Sequence, residues 1–324
     1  MKKTPFILLP AFILTTLWMM VQPAQADYKQ ATAYYTQGRY KEAIQEIRPD
    51  LDRNPDWEPG HRLLGLCYLA QKNYALAQSS LARAVQLKSQ AFSTYYGLGL
   101  AYFNLQRYDD CVNTLNQGEP FAAKEREPDK ERAKLSKLRG SAYFRMNKFA
   151  DALNDLTSAI RINQSDWVDF YMLGVCYLNL DRTDEAIQAL EKALSMKPGQ
   201  TAITDLLGKV YFKKGVAALS AKQYGPAAQA MMKALEYDPK NGYAYYNLAE
   251  TYLFEKRYPE AEKALTRSVE LLPNSMEAYA RLGLIYEKEK KWDLALSAYK
   301  KADGISPSKA MKDAIERITE NKKK

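Results

Sequence analysis

Catalysis and metal binding need particular side chains in company, and this chain supplies few of them. His61 is its only histidine. No Ser-His-Asp arrangement with a spare and no multi-histidine metal site can be assembled from it. The three cysteines, Cys67, Cys111 and Cys176, show neither a CxxC pair nor zinc spacing. Their odd count leaves open a free reactive thiol or an intermolecular bridge. There is no phosphate loop, no GxSxG and no dinucleotide fingerprint. Carboxylate-based catalysis is not formally excluded. The residues therefore read as a non-enzyme, with no catalytic residue, cofactor or metal assigned.

Charge points the same way. Without Lys2 and Lys3, the balance of 47 basic to 38 acidic residues falls to a net charge of +7. Residues 27–118 hold 10 basic and 9 acidic side chains, so most of the excess lies later and is mixed with acids. Nucleic-acid binding needs a clustered basic stripe. The richest segment, Lys124 to Arg139, carries seven basic residues beside four acids and reads as a solvated linker and helix face. No nucleic-acid partner is expected.

The elements that would position any site are announced by two ladders. Tyr34, Tyr68, Tyr102, Tyr143, Tyr177, Tyr211, Tyr252 and Tyr286 recur at intervals of 34, 34, 41, 34, 34, 41 and 34 residues. A second ladder, Ala43, Ala77, Cys111, Ala152, Ala186, Ala227, Ala261 and Ala295, runs at 34, 34, 41, 34, 41, 34 and 34. A fixed period of this size means a repeat array. Within a unit, Tyr245, Leu248, Ala249 and Tyr252 keep helical spacing, break at Glu255-Lys256-Arg257, and resume with Ala261 and Leu265. That is two amphipathic helices joined by a short turn. Small residues at Ala31, Gly65, Gly99, Gly140, Gly174, Ala249 and Gly283 let the paired helices approach, with the tyrosines filling space between units. Pro55, Pro198, Pro239, Pro273 and Pro307 cannot continue a helix and send the chain into the next unit.

Aligned on one frame, repeat five reads Phe170, Leu173-Gly174, Tyr177, Ala186, Leu190, Ala193, Pro198, and repeat eight reads Tyr279, Leu282-Gly283, Tyr286, Trp292, Ala295, Tyr299, Ala302, Pro307. This resembles the tetratricopeptide repeat, W-x2-L-G-x2-Y followed by A-x3-F, A and P. The resemblance implies an all-α fold, a right-handed superhelical solenoid of antiparallel helix pairs. Eight units are expected at about 27–57, 58–91, 92–125, 133–166, 167–200, 201–241, 242–275 and 276–307. His61 takes the large fourth position of repeat two and reads as packing. The cysteines stand where small core residues are usual.

The ladders also locate the departures from 34. Both lengthen between Cys111 and Tyr143, which places seven extra residues in a link around Glu119-Pro120 to Pro128-Asp129, with Asp129 as the next helix cap. In repeat six the extra seven fall between Tyr211 and Ala227, predicting one long helix over about Ile203 to Lys222. After Pro307, Ala310, Met311, Ala314, Ile315 and Ile318 form an amphipathic capping helix over 308–324, and Lys322-Lys323-Lys324 reads as a frayed, solvated end. At the start, Lys2 and Lys3, an apolar stretch from Phe6 to Val21 and Ala24-Gln25-Ala26 have the order of a cleavable secretory signal, with the mature chain beginning at Asp27. A retained anchor is the alternative; no cysteine sits there for lipidation, and no later segment is apolar enough to span. Asn163-Gln164-Ser165 matches a glycosylation acceptor, a tripeptide common by chance.

By resemblance, the concave face is lined by the first helix of each repeat. Carrying those positions over gives Tyr96, Leu100 and Phe103, then Lys137 and Phe144, then Tyr171, Val175 and Leu178. Repeat six adds Phe212, Val216 and Leu219, and repeat seven adds Tyr243, Tyr246, Glu250 and Leu253. Members that clasp a terminal carboxylate use Lys and Asn on this face, and only Asn247 matches here. An apolar, aromatic groove suits a partner helix or extended apolar peptide. The expected role is a periplasmic or secreted scaffold in envelope assembly, such as pilus, secretion or cell-wall machinery; the alternative is a chaperone-like carrier of apolar segments.

Overall fold

The computed structural model describes residues 23–162 and 166–323. The described residues are helical throughout, with short turns between helices and no strand. They belong to two compact units, 1–164 and 165–324. Residues 1–22 of the expected leader, and the 163–165 tripeptide, lie outside the described residues.

The first unit stacks four helix pairs: α1 (Pro23–Thr36) with α2 (Tyr40–Arg53), α3 (Glu58–Ala70) with α4 (Tyr74–Gln86), α5 (Phe92–Asn104) with α6 (Tyr108–Ala122), and α7 (Pro128–Arg145) with α8 (Phe149–Ile162). The second stacks α9 (Trp167–Asn179) with α10 (Thr183–Met196), α11 (Thr201–Ser220) with α12 (Tyr224–Tyr237), α13 (Gly242–Phe254) with α14 (Tyr258–Leu271), and α15 (Met276–Lys288) with α16 (Trp292–Ile305). A last helix, α17 (Lys309–Asn321), closes the second unit. Within each unit every helix packs on its sequence neighbours, and successive first helices touch from α1 to α7 and from α11 to α13.

One local device makes every turn. The second residue after each first helix bends back in the left-handed region: Gly38, Lys72, Gln106, Asn147, Asp181, Lys222, Lys256 and Lys290, with φ between 57° and 75°. The next backbone N–H then donates to the carbonyl of the ladder position, as Arg182 N does to Tyr177 O at 2.9 Å. This satisfies a carbonyl that the helix end would leave orphaned. In five repeats the side chain after the bend is a cation lying over the ladder ring, as Arg39 over Tyr34 at 4.4 Å and Arg257 over Tyr252 at 4.4 Å. The tyrosine ladder is thus a platform for that cation as well as filler between units.

Close approach within a pair is set by the small residue three before the ladder. A methyl group on Gly174 would sit 2.6 Å from Leu190 Cγ, and one on Gly215 would sit 2.8 Å from Met231 Cε. Gly215 is the small residue of repeat six, and Ala218, not Tyr211, occupies the ladder position, since Gln223 N donates to Ala218 O at 2.9 Å. Tyr211 instead stacks on Tyr237 and donates to Glu191 Oε1 at 2.7 Å. The seven extra residues have pushed it two turns toward the helix start.

Two expectations need correction. The extra residues after repeat three form no link: they lengthen the end of α6 and the start of α7, leaving 123–127 between. Asp129 is not the cap, because Pro128 starts α7 and Asp129 lies in its first turn; proline is well suited there, having no N–H to leave unpaired. Lys322 and Lys323 follow the end of α17 as exposed side chains, Lys322 in a surface ion pair with Asp293 of α16. Lys324 lies outside the described residues.

The remaining single residues fall into place. Cys67, Cys111 and Cys176 are free and buried, and burial pushes each thiol up to about 12. They are core residues without thiolate character. His61 is half-buried, its Nε2 2.7 Å from Pro55 O, clipping the loop before α3 to that helix.

The capping helix is held by Ala314 and Ile318, both buried, and by a polar clasp. Arg317 donates twice to Glu287, at 2.8 and 2.9 Å, and Tyr299 donates to the same carboxylate at 2.9 Å. Arg317 holds the Glu287 carboxyl below its ordinary range, Tyr299 adds to this, and burial opposes it. A depressed folded pKa adds stability above the unfolded pKa that is lost as pH falls through the folded one. Glu287→Gln is therefore expected to lower the melting temperature of the second unit at pH 7, with the gap from the parent chain closing below about pH 4. A gap that stays constant with pH would refute the clasp.

Candidate functional site

The first helices present the same stripe in every repeat, because positions three and four apart share a helix face. In the first unit α5 brings Tyr96, Leu100 and Phe103 onto a cluster built on Leu115 and Leu135. All three are half-buried. Phe103 meets Tyr108 edge-on at 5.5 Å, and Phe144 of α7 meets Phe149 at 6.2 Å. Burial raises the Tyr96 phenol above its ordinary value, and Lys137, from the neighbouring α7, opposes the rise. Tyr96 and Lys137 are therefore neighbours, as the repeat offset places them.

In the second unit Tyr171 and Leu178 of α9 lie on the cluster around Leu190 and Leu207, and Val175 is half-buried beside them. Phe212, Tyr246 and Leu253 lie on the cluster of repeats seven and eight. Two positions stand clear: Val216 is 36% exposed and Tyr243 is 64% exposed. Leu219 is half-buried.

The polar members are committed to internal partners. Asn247 Nδ2 donates to Tyr243 O at 2.8 Å, back along its own helix. Glu250 Oε2 accepts from Arg281 Nη2 of α15 at 3.1 Å, with Arg281 Nε 2.6 Å from Oε1, and Arg281 also meets Tyr246. The Tyr246 phenol is raised mainly by burial and then by Glu250, with Arg281 opposing. A carboxylate clasp of the Lys and Asn type is not assembled around Asn247.

Two hollows open on this stripe. One of 160 Å³ is walled by Glu250, Leu253, Phe254, Tyr258, Arg281, Leu284 and Lys288. The other, of 340 Å³, runs from Tyr246 past Met276, Ala280, Arg281 and Leu284 to Met311, Ala314 and Arg317 of the cap. Arg281, Phe254 and the cap residues were missed by the position rule. Arg281 stands 34 residues after Asn247, so the repeat offset alone could have found it. The cap lies outside the repeat and gives no such signal. Among the described residues no group of three or more His, Cys, Asp and Glu side chains could hold a metal ion. In these hollows Arg281 and Arg317 are paired with Glu250 and Glu287, and much of the remaining wall is apolar.

Stacked antiparallel helix pairs that repeat one stripe define an all-α solenoid. Family models described as tetratricopeptide repeat match residues 28–92, 62–110, 218–283 and 277–309, together more than half of the sequence, and the chain belongs to that family. A model described as anaphase-promoting complex, cyclosome, subunit 3 matches residues 122–193. Among curated relatives, Hsp70-Hsp90 organizing protein 3 of Arabidopsis thaliana is 24% identical over 65% of this chain and 36% of its own length. The Hsp70-Hsp90 organizing protein of Triticum aestivum is 26% identical over 65% and 35%. The chain thus spans about a third of the length of these relatives. Among solved structures, the C-terminal part of a TPR repeat-containing protein from Cytophaga hutchinsonii is 16% identical, covering 89% of this chain and 99% of that one, with a TM-score of 0.46. The chain is an all-α tetratricopeptide-repeat protein.

Proposed function

We propose that the chain is an exported, non-catalytic scaffold that holds a helix or apolar peptide of a partner protein on the first-helix stripe, in the assembly of envelope machinery such as a pilus, a secretion apparatus or the cell wall. Export rests on the order of charged start, apolar stretch and Ala24-Gln25-Ala26. One observation carries the binding reading: Tyr243 stands 64% exposed on the helix whose Tyr246 walls the 340 Å³ hollow. Aromatic side chains so placed are where interface energy concentrates. The relatives are named as organizers of other proteins, which agrees with a scaffold.

The test is a photo-crosslinking side chain at position 243 in the native cell envelope. One abundant adduct, lost when Tyr246→Ala is added, is the expected result; a dominant aromatic contact contributes about 2 kcal/mol, or roughly thirtyfold in affinity. Many weak adducts of unrelated exported proteins would favour a chaperone-like carrier instead. No adduct at 243, with capture unaffected by Tyr246→Ala, would overturn the stripe as the binding surface. Amino-terminal sequencing that returned Met1 from the exported protein would overturn signal cleavage.

A further inference from the structure

The two ends of the helix pairs in the second unit differ in charge. The loops that lead from one repeat to the next, 197–200, 238–241, 272–275 and 306–308, carry only Lys197, Asp238 and Lys240. The turns inside the repeats, 180–182, 221–223, 255–257 and 289–291, carry six cations and three acids. Because the pairs stack in order, these four turns fall along one edge, and the end of α17 reaches it through the Lys322–Asp293 pair.

Three of the six cations, Arg182, Arg257 and Lys291, are paired with acids of the turns and of the helices beside them, which leaves Lys222, Lys256 and Lys290 to carry the edge, and the acids are engaged in turn. Asp181 accepts from Lys213 at 2.8 Å, Glu255 pairs with Arg257 at 3.2 Å, and Glu289 pairs with Lys291 at 2.7 Å. Lys222, Lys256 and Lys290 are exposed and hold the same left-handed position in three successive repeats, at φ 59°, 61° and 59°. Glycine is the favoured residue there, so the turn geometry does not call for lysine. Large apolar side chains stand among them: Leu180 is 37% exposed, Phe254 58% and Leu294 49%. Lysines alternating with exposed apolar side chains suit a surface that is anionic above and apolar beneath.

We infer that this edge of the second unit docks on the headgroup region of an anionic lipid bilayer, the lysines meeting phosphates and Phe254 and Leu294 entering the boundary with the acyl chains. Among the described residues no helix is long and apolar enough to cross a membrane, so the contact is peripheral. A polyanion such as nucleic acid would use the lysines and leave the apolar residues without a role. The three lysines and Leu294 lie outside the first-helix stripe, which this edge meets at Phe254, a wall of the 160 Å³ hollow.

The test uses sedimentation of the full chain without residues 1–26 on vesicles of phosphatidylglycerol and phosphatidylethanolamine, against vesicles of phosphatidylcholine alone. Binding to the anionic vesicles only, falling steeply with salt, is expected. Each lysine removed lowers partition about fivefold, so the triple change Lys222→Gly, Lys256→Gly, Lys290→Gly lowers it about a hundredfold. Glycine fits all three turns, so a melting temperature at or above the parent's excludes unfolding as the cause. Leu294→Ser, which leaves the stripe's hollows untouched, weakens binding about tenfold, and Lys→Arg at the three turns leaves it intact. Tyr243→Ala, which tests the stripe, leaves vesicle binding unchanged. Equal binding to neutral vesicles, undiminished binding by the glycine variant, or binding to single-stranded DNA in place of anionic vesicles would each overturn the proposal.

Discussion

Replacing Arg139 with alanine is expected to destabilise the first unit by about 3 kcal/mol or more. Arg139, on α7, is 15% exposed and forks onto Asp155 of α8, itself 11% exposed, with bonds of 2.7 and 2.8 Å. Its remaining N–H groups reach Asn116 at 2.7 Å and Glu119 at 2.9 Å on α6. One side chain thus ties three helices, and the paired carboxylates hold its guanidinium charged against the cost of burial. Without it, Asp155 is left as a buried charge with no counter-ion, which costs more than the pair itself contributed. Arg139→Lys keeps the charge and loses the fork, so an intermediate loss is expected. Replacing both partners with Arg139→Met and Asp155→Leu should recover much of the stability. Denaturant unfolding of the three variants checks this; a loss under about 1 kcal/mol for alanine would mean that water reaches Asp155 freely.

The second large effect is expected at Gly174. A Cβ there meets Leu190 Cγ at 2.6 Å and Cδ2 at 2.7 Å, with the Ala186 carbonyl oxygen at 3.4 Å. Leu190 is fully buried and has no free volume to turn into. Gly174→Leu is expected to cost about 3 kcal/mol by forcing α9 and α10 apart. An array is held by contacts between neighbouring repeats, so the damage should appear as an added early unfolding step instead of a uniform shift. Leu190→Ala in the same chain should relieve the overlap and restore part of the loss. A single unchanged transition for Gly174→Leu would show slack between the two helices.

Much of the fold was legible because a repeat states its own rules many times over. The helix pair, the proline stops and the small-residue contact at Gly65, Gly99, Gly140 and Gly174 follow from periodicity and from the absence of a Cβ, both local properties. The long helix of repeat six was legible for the same reason: seven residues add two turns and keep the buried face. Its boundaries are Thr201–Ser220, against an expected 203–222. The stripe residues were placed by offset, and the structure puts Tyr96 beside Lys137 and Tyr246 on the wall of a hollow.

Other features required the packed chain. The sequence offered Asp129 as a cap, yet helix start depended on Pro128 and on how far α7 could extend while still covering Leu135 and Leu138. Tyr211 satisfied the ladder spacing and left the ladder, because the register of α11 against α12 was fixed downstream by Gly215 and Met231. Asn247 and Glu250 looked available to a ligand, but one turned to its own helix and the other met Arg281 on the next repeat. The sequence by itself determined the unit, its number and its local turn chemistry, since each depends on residues within one or two helical turns. The tertiary structure alone decided which polar groups are already paired and where exposed lysines and apolar side chains align, because those depend on atoms brought together from different helices by packing.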